Sequence, residues 1–185
     1  MNSNLILIPI LLIFLFSCST KAEESYGWDT SVEKTDKESF VVENFIDGFE
    51  IPWGMCFLPN EDLLVSDRNG TLWQIKKDGK SKKKISGVPK VKYKGQGGLL
   101  DVQIHPNFVD NNLVYICFSD FLPKDKNKSF TSVLRAELKN NKLLNVQTIY
   151  KADDKFYTKS NVHYGSRLTF DNKNYLFFSI GDRGN

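Results

Sequence analysis

Histidine and cysteine are scarce in this sequence of 185 residues, which contains two histidines and three cysteines. No Cys-x-x-Cys-His motif occurs, which excludes covalent c-type haem attachment within the chain. The net charge is only +3, too small to indicate a nucleic-acid partner. Helical periodicity is missing as well, because no segment keeps apolar residues at helical spacing over three turns. The sequence therefore has the pattern neither of a helical protein nor of one that binds nucleic acid.

Aromatic residues, by contrast, are abundant, with 14 Phe, seven Tyr and three Trp. Together with frequent β-branched residues they favour strands, and turn residues separate the apolar segments at short intervals. We therefore predict an all-β fold with the strands FVVENFI, WGMCFL, DLLVSD, TLWQIK, LLDVQIH, LVYICFS, SVLRAEL, NVQTIY, SRLTF and YLFFSI. The basic run from Lys76 to Lys84 lies between two of them and is interpreted as a solvated hairpin loop.

A loose internal repeat organises these strands. In each copy an apolar strand leads through a turn into a second strand that ends in Asp: GMCFLPNEDLLVSD, LDVQIHPNFVDNNLVYICFSD and SRLTFDNKNYLFFSIGD. The copies start roughly 50 to 65 residues apart, which suits a four-stranded propeller blade with its loops better than a β-sandwich. We predict a β-propeller, of which the chain supplies about two blades and the start of a third. Since a propeller ring needs four to eight blades, we expect the N-terminal part of a longer protein.

The first 18 residues are predicted to be a secretory signal peptide. LILIPILLIFLF is an uninterrupted apolar run that is short for a membrane span and is followed at once by polar residues. The segment Leu15-Phe16-Ser17-Cys18 is similar to a bacterial lipobox, so Cys18 is the expected lipidation site; simple cleavage and an uncleaved anchor are the alternatives. Residues 19–38 are interpreted as a polar tether and residues 39–185 as the propeller domain. We expect export to the periplasm, as an outer-membrane lipoprotein.

Two cysteines remain after Cys18. Cys56 and Cys117 both fall within apolar strands, in GMCFL and VYICF. Although exported proteins can form disulfides, we predict two buried free thiols, because each cysteine belongs to a different blade.

The glycine-rich segment GQGGLLDVQIHPNF carries the first candidate site residue. Its glycines allow close backbone approach in front of a buried strand, so Gln96 is either a ligand contact at the propeller mouth or a solvated turn residue. His105 lies at the far end of the same strand and is predicted to be structural.

His163 precedes a strand, on the side of the domain predicted for the Gln96 loop. An imidazole titrates near neutral pH and can take a proton from a substrate hydroxyl, although a loop histidine can equally be structural. Asp182 follows the next antiparallel strand. The two strands and their turn are uneven in length, so counting residues does not place Asp182 relative to His163.

Three segments together resemble the soluble glucose/sorbosone (aldose sugar) dehydrogenases: IPWGMCFLPNEDLLVSDRNGTLWQI, GQGGLLDVQIHPNF and HYGSRLTFDNKNYLFFSIGDRGN. The likeness runs from Phe40 to Asn185. It implies a six-bladed propeller that binds pyrroloquinoline quinone (PQQ) and calcium and oxidises the C1 hydroxyl of an aldose to a lactone. Its partners would be an aldose substrate and a periplasmic electron acceptor, with the membrane reached through the lipid anchor.

The same resemblance assigns roles to three residues. His163 matches the general base, Asp182 the aspartate that supports it, and Gln96 a contact to sugar and cofactor. Val162 stands where some members have an aspartate that helps to hold glucose, so a glucose preference is not implied. The cationic clamp for the cofactor and the calcium ligands are expected downstream of residue 185, and no metal ligand is assigned within the chain.

Two other functions are compatible with the repeats. A non-catalytic propeller of the same superfamily would bind carbohydrate or protein and would keep the blades without the catalytic residues. A calcium-dependent propeller lactonase would need clustered Asp, Asn and Glu side chains at the mouth, which GDRGN alone does not supply.

Overall fold

The computed structural model describes residues 32–34 and 36–184, and its contacts divide the chain into the units Met1–Asn44 and Phe45–Asn185. In the first unit, β1 (Val32–Lys34) pairs antiparallel with β2 (Ser39–Val41), a pairing that the polar sequence did not predict. The predicted strand FVVENFI is correspondingly shorter, since only its first two residues lie in β2. The predicted signal peptide, Cys18 and most of the tether lie outside the described residues.

The second unit consists of two four-stranded antiparallel sheets followed by a hairpin. Within each sheet and within the hairpin, strands that follow one another in the chain are hydrogen-bonded to each other. The first sheet contains β3 (Pro52–Phe57), β4 (Leu63–Asp67), β5 (Thr71–Ile75) and β6 (Lys82–Ile85). The second contains β7 (Leu99–Ile104), β8 (Leu113–Leu122), β9 (Asp125–Lys139) and β10 (Lys142–Tyr150). The hairpin is formed by β11 (Gly165–Phe170) and β12 (Leu176–Ile180).

These sheets are two propeller blades and the beginning of a third, which confirms the predicted all-β fold class. Each sequence repeat forms the first two strands of one sheet. The prediction of a loop over Lys76–Lys84 was wrong in its second half, because Lys82–Ile85 forms β6 and pairs with β5. Its lysines lie on an edge strand, where charged side chains are common because they prevent further strand pairing.

Helix is almost absent from the described residues. It is limited to α1 (Phe108–Asn111) and a 3-10 turn (Asp154–Phe156). Neither is long or apolar enough to cross a membrane.

The apolar core lies between consecutive blades. Leu64 and Leu72 of the first sheet are fully buried with Leu99 and Val114 of the second in one cluster. A second cluster joins the second sheet to Leu168 of the hairpin. Each blade therefore buries one face against its neighbour, as in other stacked arrays.

The two cysteines of the propeller are free and buried, as predicted. Burial raises the pKa of the Cys56 thiol to about 12 and raises that of Cys117 as well. Both therefore remain protonated, unreactive thiols near neutral pH.

The first strands of the three blades converge, with β7 in contact with both β3 and β11. The Asp101 carboxylate of β7 accepts hydrogen bonds from the backbone N–H of Leu168 (2.7 Å) and from Arg167 Nη1 (3.2 Å). Trp53 Nε1 donates to Ser166 Oγ over 3.3 Å, which joins β3 to β11 directly. These contacts fix the relative position of the loops that precede the three strands.

Candidate active site

The loops that precede β7 and β11 lie side by side. The backbone N–H of Gln96 donates to the carbonyl of Asn161 (2.8 Å), and the side-chain Oε1 of Gln96 accepts from the backbone N–H of His163 (2.7 Å). Gly95 adopts a φ of +58°, and a Cβ there would meet the Asn161 carbonyl at 2.5 Å. Gln96 and His163 are therefore neighbours, as expected for two loops at the same end of the propeller. The carboxamide oxygen of Gln96 holds the histidine loop, which leaves its NH₂ group as a donor.

The backbone of His163 is left-handed, with a φ of +49°. Such conformations are strained for a residue with a side chain and often occur at functional sites. The His163 carbonyl accepts from the backbone N–H of Arg183 (3.3 Å). It also packs so closely on Gly181 that any Cβ there would collide with it. Contacts at both the N–H and the carbonyl thus hold His163 in this conformation.

The His163 imidazole and the Asp182 carboxylate form a hydrogen-bonded pair. Nδ1 lies 2.8 Å from Asp182 Oδ1, and the two side chains are 55% and 64% exposed. Oδ1 also accepts from the backbone N–H of Gly184 over 2.8 Å. This bond, followed by the one to His163, lowers the pKa of Asp182. An ionised carboxylate can only accept hydrogen bonds, so Nδ1 carries a proton and neutral His163 has its lone pair on Nε2.

The position of Asp182 depends on a feature that residue counting could not provide. The pairing of β11 with β12 shifts register between Gly165 and Leu168, and Gly165 then lies opposite Ile180. After β12 the chain turns back on the histidine loop, where the backbone N–H of Gly181 donates to the carbonyl of Tyr164 (3.1 Å).

Arg183 is a site residue that the sequence analysis did not identify. Its side chain is almost completely buried, although it lies in an exposed turn. Nη1 donates to the carbonyl of Val162 (3.1 Å) and Nη2 to that of Ser160 (2.6 Å), and the guanidinium lies 3.5 Å from the ring centroid of Tyr164. Arg183 thus joins the turn that carries Asp182 to the loop that carries His163. An arginine in GDRGN gives no indication in the sequence that it turns inward.

The aspartates that end the other two repeats have different partners. Asp67 accepts from the backbone N–H groups of Glu50 and Ile51, both over 2.9 Å. Asp120 accepts from the hydroxyl of Tyr157 (2.8 Å) and pairs with Lys151 (3.2 Å). The third aspartate, Asp182, is the one that binds an imidazole.

His105 has the structural role that its position predicted. Its Nδ1 accepts from the backbone N–H of Asn107 (3.0 Å), and its ring stacks on Tyr115 and meets Phe170 edge-on.

The described residues supply proton-transfer and hydrogen-bonding groups but no metal centre. No group of three or more His, Cys, Asp or Glu side chains that could hold an ion occurs among residues 32–34 and 36–184. A cleft of about 420 Å³ opens beside the His163 loop and is lined by Trp53, Gly165, Ser166, Arg167 and Ser179. An imidazole and a carboxamide donor fit the quinone carbonyl and sugar hydroxyl of a quinone-dependent dehydrogenase, so the donor set suits one side of such a site.

Comparison with known proteins identifies the family. The Glucose / Sorbosone dehydrogenase family model matches residues 49–185. The chain belongs to the glucose/sorbosone dehydrogenase family. The three motifs that carried the resemblance all lie within or overlap the matched range.

Two curated relatives and one solved structure illustrate the similarity. The chain is 37% identical over 146 residues to the Escherichia coli aldose sugar dehydrogenase YliI, covering 76% of this chain and 38% of that protein. It is 36% identical over 194 residues to an uncharacterized Synechocystis protein, covering 94% and 46%. It also aligns with the PQQ-bound aldose sugar dehydrogenase of Streptomyces coelicolor, at a TM-score of 0.68 and 25% identity over 79% of this chain and 42% of the other. The chain thus spans less than half the length of these relatives.

Proposed function

We propose that the full-length protein is an exported, PQQ-dependent aldose sugar dehydrogenase that oxidises the C1 hydroxyl of an aldose to a lactone. The observation that carries this proposal is the His163–Asp182 pair at 2.8 Å, whose two side chains are exposed and whose histidine backbone is bound by Gln96. The PQQ-bound relative and the aldose dehydrogenase relative support the cofactor and the substrate class.

His163 is the proposed general base. Nε2 takes the proton of the C1 hydroxyl while C1 gives up hydride, and the imidazolium that forms is stabilised by the Asp182 carboxylate at Nδ1. The low pKa of Asp182 keeps this carboxylate ionised at neutral pH. A base positioned in this way typically accelerates a reaction by about 10²–10⁴-fold.

Gln96 and Arg183 have positioning roles in this proposal. The Oε1 of Gln96 anchors the His163 backbone, and its NH₂ group can donate to a sugar hydroxyl or a quinone carbonyl. When bound, the quinone supplies the hydride acceptor. Calcium, which the resemblance implies, has no ligand cluster among the described residues and takes part in no step here.

The test compares the wild-type full-length protein with three variants after reconstitution with PQQ and calcium. We expect His163→Ala and His163→Asn to lower kcat by about 10²–10⁴-fold while quinone binding persists. His105→Asn is the matched control, since it changes the other histidine, and its turnover should stay near wild type. Full turnover of His163→Ala would contradict the assignment of the base. Failure of the wild type to bind quinone would favour a non-catalytic propeller.

The proposed location is the periplasm, with the protein anchored to the outer membrane through Cys18. Acyl labelling of the wild type and its loss in Cys18→Ala, together with release from the membrane fraction, would support this. An unchanged mature mass and membrane fraction in Cys18→Ala would contradict it.

A further inference from the structure

Two lysine-rich segments lie next to the candidate site. One, VPKVKYK, contains Lys90, Lys92 and Lys94 at alternate positions, and the other, PKDKNK, contains Lys124, Lys126 and Lys128 around a single carboxylate, Asp125. They belong to the entry of the second sheet and to its β8–β9 hairpin. The chain as a whole has a net charge of only +3, so this concentration of one sign is local.

The fold brings the two segments together. The backbone N–H of Lys92 donates to the carbonyl of Ser119, and the hydroxyl of Ser119 donates to the carbonyl of Lys92, both over 2.8 Å. Lys92 Nζ then reaches across to the carbonyl of Lys126 at 2.5 Å. Between the segments lies a cleft of about 560 Å³ whose lining includes Tyr93 and Phe121. The two runs of lysine therefore form one surface.

Three of the six ammonium groups dominate the charge of this surface. Lys90, Lys94 and Lys126 are exposed, and we call them the lysine face. Lys124 forms an ion pair with Asp154 (3.0 Å), and the ammonium group of Lys92 donates to the carbonyl of Lys126.

Carboxylates near the lysine face are already engaged. Glu50 accepts from the hydroxyl of Tyr93 (2.5 Å) and from Asn69 Nδ2 (3.0 Å), and these bonds lower its pKa. Asp125 accepts from the backbone N–H of Asn127 (3.1 Å). The charged residues that line the cleft, among those the structure describes, are Lys90, Lys92 and Lys126, so its charge is positive.

At Lys94, the lysine face adjoins the loop that holds the proton-transfer pair. The carbonyl of Lys94 accepts from the backbone N–H of Gly97 (2.9 Å), which closes the turn that presents Gln96. Gln96 in turn binds the backbone of His163. A partner bound at the lysine face would therefore lie beside the reaction centre.

We propose that the lysine face docks an acidic, one-electron redox protein that reoxidises the enzyme. The inference rests on the proposed function and adds the class of its electron acceptor. Oxidation of an aldose to a lactone releases two electrons and two protons. Two molecules of the carrier each accept one electron per turnover, and the two protons go to solvent. Complementary charge speeds such encounters by about 10–10³-fold at low salt, and added salt screens the effect.

The experiment uses the reconstituted full-length protein and one carrier in two charge states. Mitochondrial cytochrome c is basic, and succinylation of its lysines makes it acidic without changing its haem ligands. Ferricyanide serves as a small anionic acceptor and 1,4-benzoquinone as a neutral one. The test variant carries Lys90→Glu, Lys94→Glu and Lys126→Glu. The matched control carries Lys80→Glu, Lys83→Glu and Lys84→Glu, which changes the net charge equally on the β5–β6 hairpin.

We expect the wild type to reduce succinylated cytochrome c faster than the basic form at low ionic strength. In the test variant this rate constant should fall at least about tenfold, because local charge steers the encounter. The difference from wild type should shrink as salt is added, since salt screens the charges. In the control variant the rate constant should change less than about twofold. Turnover with benzoquinone should be the same in all three proteins.

Three results would overturn the inference in distinguishable ways. If benzoquinone supports aldose oxidation but the test variant reduces succinylated cytochrome c at the wild-type rate, the docking surface is wrong and the proposed function stands. If the variant is impaired with ferricyanide alone, the face is a small-anion site and not a protein docking surface. If the wild type oxidises no aldose with any acceptor, the proposed function fails and the docking proposal fails with it.

Discussion

At the scale of single residues, the geometry of His163 depends on a neighbour that does not touch the imidazole. Arg183 binds the carbonyls of Ser160 and Val162 and stacks on Tyr164. Among the described residues no carboxylate pairs with its guanidinium. The two carbonyls and the Tyr164 ring therefore replace the water that the guanidinium loses when it is buried. Through the same contacts Arg183 fixes the histidine loop.

Removing the Arg183 guanidinium should loosen this loop. Arg183→Met keeps an apolar stem of similar length but removes the donors to the part-buried carbonyls of Ser160 and Val162, so we expect a loss of about 1–3 kcal/mol in the free energy of unfolding. The NMR signal of the His163 Nδ1–H proton should weaken or disappear at neutral pH, and Arg183→Lys should restore it in part. Arg135→Met, at an exposed hydrogen bond to Gln147, is the control. An unchanged Nδ1–H signal in Arg183→Met would show that Arg183 does not position His163.

The candidate site was only partly predictable at this scale. Gln96 and His163 were found because glycine-rich and histidine-containing loops are recognisable next to strands. The bond between Asp182 and His163 was not derivable from spacing, because a register shift in the β11–β12 pair determines it. Arg183 was missed because its direction depends on the left-handed turn it occupies, with a φ of +64°.

At the scale of elements, the first strands of the blades are joined by a buried carboxylate. Asp101 is 3% exposed, and its hydrogen bonds reach from β7 to β11. Burial raises the pKa of Asp101, against the opposing effects of the Leu168 N–H and the Arg167 guanidinium. The close approach of β3 explains Gly54, where a Cβ would meet Asp101 Oδ1 at 2.5 Å.

The raised pKa gives Asp101 a definite effect on stability. A group that binds its proton more tightly when folded contributes stability that is present below its unfolded pKa and is lost as pH rises through its folded pKa. Wild type should therefore lose stability relative to Asp101→Asn as pH rises through the weakly acidic range. Denaturant unfolding of both proteins from pH 4 to 7 measures this.

Asp62 provides the control for this experiment. Burial would raise its pKa, but bonds from Gln74, Lys76 and the Lys77 backbone outweigh burial and lower it. Asp62→Asn should therefore show the opposite sign. Wild type should gain on the variant as pH rises from about 2 to about 5, after which the difference levels off, so the unfolding series for this pair extends down to about pH 2. Equal slopes for Asp101→Asn and wild type would contradict the burial argument.

Strands were more predictable than their ends. Each sequence repeat coincides with the first two strands of a sheet, because alternating apolar residues indicate strands that are buried between blades. Strand β6 was missed because it lies at a sheet edge, where KKKI buries only its last residue. The segment FVVENFI was predicted too long, because its apolar residues are mostly exposed and irregular in conformation.

At the scale of the whole molecule, the first blade keeps an apolar face in contact with solvent. Met55 and Phe57 of β3 are 65% and 68% exposed. They line a groove of about 880 Å³ together with Phe45, Phe49 and Leu63. On the β11–β12 hairpin, Phe177 is 56% exposed. Such surfaces occur where another element or molecule packs.

The 185-residue chain, produced by itself, should therefore self-associate. We expect sedimentation velocity to show concentration-dependent oligomers, since exposed apolar faces and strand edges both promote association. Met55→Ser with Phe57→Ser should reduce the association, whereas Val109→Ser, at an exposed apolar residue of α1, should not. A monomer at all concentrations would contradict this expectation.

The aspartate that ends each repeat has an implication for the origin of the site. When a hairpin is duplicated, the aspartate at its end is duplicated with it. The aspartate of one copy can then acquire a new partner while that of another copy keeps the original partner. In the first blade Asp67 ties down the backbone of Glu50 and Ile51, and in the third Asp182 holds His163. The two differ in the loop that enters the blade and in the register of the hairpin that ends in the aspartate. In evolutionary terms, a His–Asp pair of this kind requires a new entry loop and a hairpin register that suits it, so the other entry loops of the propeller, each with its own hairpin, are the natural places to engineer a second one.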